Sequence, residues 1–283
     1  MSVAGASEEA SHPLARWARH FVSILGTWIA ALARPARVPA STVAFLAERQ
    51  RLRVGAVATV LVVIVAMGWV DAAAIRVAGQ LPSWLNETYN EITDYGRSSW
   101  FLWPSGILIL VTAAAATKAT TRMSQLVLAT IAVRLGFIFL AIGIPGLFVT
   151  IVKRWIGRVR PSEFGPFAYH PFSWDSAFAS LPSGHSAAAF SALVALGSIF
   201  PRARPVLWIY AVTIAMSRVI IAAHYPSDVI AGALVGAFGA VLVREWFAVR
   251  RLGFYLGRDG KTHAMPGPSF KRIKKVARAL VAQ

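Results

Sequence analysis

"SRVIIAAHYPSD", residues 217–228, lies between two apolar runs, "VLWIYAVTIAM" (206–216) before it and "VIAGALVGAFGAVLV" (229–243) after it. Both runs have the character of membrane helices, so the stretch between them is a turn at one membrane face. That turn carries Ser217, Arg218, His224 and Asp228. Ionisable groups at the end of a span are costly unless they have work to do. Pro226 disfavours helical geometry at Tyr225 but suits a first helical turn itself. The reading places His224 in the turn and Asp228 on the first turn of the following helix.

The composition agrees with a membrane protein. The chain has 283 residues, 57% hydrophobic and 14% charged, against about 25% charged in soluble domains. Six spans are expected, at roughly 55–78, 99–117, 125–152, 184–200, 205–222 and 228–247. The third contains Arg134, which either snorkels to the interface or serves a function within the membrane. The chain has no cysteine, so neither a disulfide frame nor a thiolate metal site is available. The expected fold is all-α: an integral membrane bundle of six transmembrane helices over 54–248, a cytoplasmic or interfacial segment at 1–53, and a basic cytoplasmic tail at 249–283.

The net charge of +17 invites a nucleic-acid reading. The cations, however, flank apolar spans and form no separate polar domain, so anionic lipid at the cytoplasmic face is the expected partner. Arg16, Arg19, Arg34, Arg37, Arg49, Arg51 and Arg53 precede the first span, Lys118 and Arg122 follow the second, and Arg202 and Arg204 follow the fourth. With the basic tail, all fall inside if both termini are cytoplasmic. The stretch 153–183 is the exception: it belongs outside, yet carries Lys153, Arg154, Arg158 and Arg160. Binding an anion there would explain the breach. At 21–33, "FVSILGTWIAALA" reads as an interfacial helix, with a cleaved signal as the alternative. "FKRIKKVARALVAQ" (270–283) puts Phe270, Ile273, Val276 and Leu280 on one helical face, which suits a membrane-surface helix; a disordered tail is the alternative.

Three polar islands share the outer face: "KRWIGRVRP" (153–161), "LPSGHS" (181–186) and the opening stretch. Arginine offers a planar fork to phosphate oxygens and lysine a point charge. Ser183 and Gly184 open a helix whose free N–H groups suit an anion. His185 and His224 titrate near neutrality, so either can attack or donate a proton. Asp228 is spaced to orient the His224 imidazole. His170 and Asp175 read as loop residues. Phe164, Phe167, Tyr169, Phe172, Trp174 and Phe178 suit the headgroup zone, either bordering a lipid's path or only packing.

Lys153, six residues, then Arg160-Pro161; Pro182-Ser183-Gly184-His185; and Ser217-Arg218, five residues, His224, three residues, Asp228: together these resemble the three-part signature of the type 2 phosphatidic acid phosphatase superfamily, membrane branch. The resemblance implies that His224 attacks phosphorus, Asp228 holds it, and His185 protonates the leaving oxygen. It further implies that Lys153, Arg160, Ser183, Gly184 and Arg218 stabilise the phosphoryl oxygens, without metal or cofactor. The implied enzyme is a lipid phosphatase of a bacterial inner membrane with its site facing the periplasm. Its expected substrate is undecaprenyl diphosphate or lipid A phosphate, with phosphatidylglycerol phosphate and phosphatidic acid close behind. A non-catalytic lipid-phosphate carrier on the same fold is the alternative; it would have no need of both histidines and Asp228.

Overall fold

Apolar runs wind into helices wherever no proline or glycine interrupts them. The computed structural model describes residues 13–36, 42–162 and 168–282; Phe164, Phe167 and Arg37 lie outside them. In order come α1 (Pro13–Leu32), α2 (Thr42–Trp69), α3 (Asp71–Ala78), α4 (Ser83–Asp94), α5 (Ser99–Thr117), α6 (Arg122–Ile156), α7 (Gly184–Ile199), α8 (Arg204–Ile220) and α9 (Pro226–Val249). An antiparallel hairpin, β1 (Phe254–Leu256) with β2 (Thr262–Ala264), and then α10 (Phe270–Val281) complete the chain.

Helix ends have local causes. The Thr121 hydroxyl caps α6 by accepting the Ser124 N–H. Gly157 ends that helix in the left-handed region at φ +63°, where a Cβ would lie 1.9 Å from the His170 carbonyl oxygen. Prolines open α8 and α9 in their first turns.

By length and apolar composition, four segments can cross a membrane: Ser83–Thr117, Arg122–Ile156, Pro201–Ile220 and Pro226–Val249. The α2–α3 pair makes a fifth only as a broken span, bent by 58°. The count among the described residues is therefore four or five, where the sequence led us to expect six. The first expected span, 55–78, breaks at Val70. The fourth, α7, has only 16 residues, about 24 Å of helix against a hydrocarbon core of about 30 Å.

Helix α7 packs on α6, α8 and α9, and small residues let it come close. A Cβ at Gly232 would lie 2.3 Å from the Ser183 carbonyl oxygen, and one at Gly236 2.2 Å from that of Ala187. Ala187, Ala188, Ala189, Ala192 and Ala195 fill the α7 side of the core. Bundles surrounded by lipid gain little from burying large apolar groups and pack through small ones. The large apolar residues instead face outward, among them Leu61, Ile64, Leu110, Leu147, Phe148 and Ile209.

The C-terminal region is tied to the bundle by two contacts. In helix α10 Val276 is buried, with Ile273 and Leu280 partly buried beside it, against Ala119, Val127 and Leu128. Only Phe270 of that face stays exposed. Arg134 Nη2 donates to the Met265 carbonyl at 2.8 Å, tying α6 to the segment after the hairpin. Phe254 of β1 joins Phe137 and Phe247 in the main core, with ring centroids 4.6 Å and 5.4 Å from Phe137 respectively. Near the N-terminus the expected helix at 21–33 starts earlier, at Pro13, and packs on α5 and α6.

Candidate active site

The end of α6, the start of α7, the end of α8 and the start of α9 meet at one end of the bundle. They carry Lys153, then Ser183–His185, Arg218 and Asp228 in turn. The α7–α9 contact fixes part of this, because the Ser183 N–H donates to the Asp228 carbonyl at 2.9 Å. Between α8 and α9, the Arg218 carbonyl accepts both the Ala223 and His224 N–H groups at 3.1 Å. That doubly used carbonyl, with Ala222 at φ +51°, turns the chain so that His224 folds back beside Arg218.

His224 is buried, with Nδ1 3.6 Å from Asp228 Oδ2 and 3.4 Å from Ser180 Oγ. Ser180 itself donates to Asp228 Oδ2 at 2.6 Å, and the Tyr225 N–H donates to the same oxygen at 3.0 Å. The expected pairing of Asp228 with His224 is present at ion-pair range, with the Ser180 hydroxyl beside it. Nε2 is left as the ring nitrogen not turned toward the carboxylate. Burial pushes the imidazole down to about 4; Asp228 works against that shift, and Arg218 and Arg160 add to it. His224 is thus a neutral base at pH 7.

Half-buried His185 lies on the first turn of α7, within electrostatic reach of His224, Arg218, Arg160 and Arg97. Its ring sits against Gly96, where a Cβ would come within 3.0 Å of it. Arg218 is buried; its Nη1 donates to Thr93 Oγ1 at 2.7 Å, and its buried Nε has no hydrogen-bond acceptor among the described residues. Such an orphan donor calls for an explanation, and an anionic ligand supplies one. Arg160 donates through Nε to the Ser176 carbonyl at 2.9 Å. Lys153 joins the group through Arg160 and Arg154.

All eight expected residues therefore gather at this end, but two of the four cations credited with anion binding have other work. Arg158 is fully buried between two carboxylates: Nη2 to Asp71 Oδ2 and Nη1 to Asp228 Oδ1, each at 2.7 Å. Its guanidinium stacks 4.2 Å from the Tyr225 ring centroid. Arg154 donates to the carbonyls of Trp174 and Asp175. Asp71, Thr93, Gly96 and Ser180 went unnoticed in the sequence; the polarity of Asp71 inside an apolar run was the one available signal. Of the set-aside loop residues, His170 packs against Phe178 with ring centroids 5.2 Å apart and the rings tilted by 43°, and Asp175 caps the short helix Ser176–Phe178. Phe172 and Trp174 stand exposed.

Comparison with known proteins adds the following. Residues 133–252 match the family model of the PAP2 superfamily. The chain is 35% identical to the lipid A 1-phosphatase of Rhizobium johnstonii over 186 residues, 65% of this chain and 76% of that protein. It is 30% identical to phosphatidylglycerophosphatase B of Bacillus subtilis over 172 residues, 57% of this chain and 74% of that protein. The crystal structure of a transmembrane PAP2-type phosphatidylglycerolphosphate phosphatase from Bacillus subtilis aligns with a TM-score of 0.44 at 26% identity, covering 67% of this chain and 94% of that one.

Proposed function

Since the chain belongs to the PAP2 superfamily and is a phosphoric ester hydrolase of the membrane, we propose that it removes phosphate from a lipid through a phosphohistidine at His224. The carrying observation is the convergence, at one end of an apolar bundle, of two histidines, a buried carboxylate and the cations Lys153, Arg160 and Arg218. In this reading His224 Nε2 attacks phosphorus while His185 gives its proton to the departing oxygen of the lipid. Water then attacks phosphorus, the P–N bond breaks, and inorganic phosphate leaves. Asp228 holds the imidazole and balances its positive charge. Lys153, Arg160, Arg218, the Ser183 hydroxyl and the Gly184 N–H stabilise the equatorial oxygens. No step in this scheme uses a metal or cofactor.

An apolar groove supports a lipid substrate. It has a volume of about 710 Å³, runs between α2 and α9 past Val60, Ile64, Leu234 and Phe238, and reaches Leu181 and Pro182, next to Ser183. A hydrocarbon chain lying there brings its phosphate to the helix end. We take lipid A phosphate as the first substrate to test, since the relative with 35% identity acts on it. Undecaprenyl diphosphate, phosphatidylglycerol phosphate and phosphatidic acid follow. The proposal keeps six spans, with 1–53 and 249–283 on the cytoplasmic side of a bacterial inner membrane and the site of domain 54–248 on the periplasmic side.

The test is phosphate release by the purified protein in detergent with EDTA, from those four lipids. Wild type should release phosphate and His224→Ala should not, at equal melting temperature. Turnover by His224→Ala, or a strict need for a divalent metal, would refute the assigned chemistry.

A further inference from the structure

Arg158 presents an electrostatic difficulty. A guanidinium 2.7 Å from Asp228, with both side chains fully buried, would neutralise the carboxylate on which His224 depends. The cations Arg218 and Arg160 already act against a positive charge on His224. Asp71 resolves the difficulty. It stands at the first position of α3, where the chain breaks after α2, and its carboxylate is fully buried. Oδ2 accepts from Arg158 Nη2 at 2.7 Å and from Ser227 Oγ at 2.6 Å; Oδ1 accepts the Ser227 N–H at 3.0 Å.

We propose that Asp71 is a positioning residue for the reaction: by taking one arm of the Arg158 fork, it leaves the buried Asp71–Arg158–Asp228 group with one net negative charge facing His224. Arg158 grips Asp228 by one oxygen and turns the other toward the imidazole. Asp71 cancels the charge that this grip would otherwise impose. When His224 carries a phosphoryl group or a proton, its ring is positive, and the uncancelled charge lies beside it in a site of low dielectric. Ser227 locks the arrangement, because its N–H and hydroxyl donate to Asp71 while its Oγ accepts from Arg158 Nη1 at 2.7 Å. The inference rests on the reading of His224 as nucleophile.

Charge and packing make opposite forecasts for Asp71→Asn. The amide keeps the size but only one of the two acceptor oxygens, so one buried donor of Arg158 or Ser227 loses its partner, while the buried group becomes electrically neutral. The expected result is a kcat lowered about 10- to 100-fold, as when an outer-shell partner of a reactive group is lost. KM should stay within about twofold, while the melting temperature falls with the lost acceptor. Asp71→Asn/Arg158→Met removes both charges and leaves Asp228 carrying the single negative charge, so it should recover at least several-fold of the lost kcat. A purely structural pair predicts the reverse, with the double variant no better than the single. Wild-type kcat in Asp71→Asn, or a folded double variant as slow as the single, would overturn the proposal. Should Asp71→Asn not fold, a double variant within about tenfold of wild type supports it and a loss above about 100-fold overturns it. His224→Ala, assayed alongside, separates the two claims: activity there refutes the nucleophile, whereas a dead His224→Ala with an unaffected Asp71→Asn refutes only the role of Asp71.

Discussion

Replacing Gly232 with alanine adds one methyl group to a residue that touches no substrate, yet it should disable the site. The added Cβ would stand 2.3 Å from the Ser183 carbonyl oxygen and 3.1 Å from the Ser183 nitrogen and carbonyl carbon. These are backbone atoms, so no rotamer change relieves the clash. Reaching 3.0 Å, still tighter than ordinary contact, requires α9 and α7 to part by about 0.7 Å at this level, and full relief requires about 1 Å. The same two helices deliver Asp228 and Ser183–His185, and the bond from the Ser183 N–H to the Asp228 carbonyl is 2.9 Å. A misplacement of about 1 Å costs about 100-fold in rate, and overpacking of this kind destabilises by about 1–3 kcal/mol. Gly136→Ala and Gly146→Ala are the controls, since a Cβ at either position meets nothing within 4 Å. The assay is steady-state phosphate release in detergent, with melting temperatures measured on the same samples. A Gly232→Ala protein with kcat within about threefold of wild type would refute the idea that this contact aligns the site.

Three further outcomes are expected. The His224 ring, held near 4 by burial, should not titrate between pH 7.5 and 5.5; its NMR signal, assigned by its loss in His224→Ala, checks this, and an inflection near 6.5 would contradict the burial. The sign for stability follows. The unfolded chain takes up the His224 proton below about 6.5 and the folded one only near 4, so the melting temperature should fall as the pH drops through that window. Arg160→Lys should lower kcat/KM by at least tenfold at unchanged melting temperature, because an ammonium cannot reproduce the fork of a guanidinium; unchanged kinetics would remove Arg160 from the phosphate.

The three islands that hold the eight residues were legible because they interrupt apolar runs near helix ends, and Gly184 and Pro226 marked where two of the helices begin. Their partners were not. Asp71 reads as a stray carboxylate inside an expected span, and only the 58° break after α2 brings it to Arg158, 87 residues away. Arg158 looked like one more phosphate-binding cation, since an arginine paired with buried carboxylates and one exposed to a ligand are identical in sequence. Arg134 found its acceptor 131 residues away, at Met265. The amphipathic face of α10 suits lipid and protein alike, and nothing in the sequence showed that Val276 packs on Val127 and Leu128 of α6. Local polarity and helix-breaking residues determine where a membrane chain turns and what stands there. Which buried charges cancel, and how closely two helices approach, depends on backbone contacts between segments far apart in the chain, and only the tertiary structure decided those.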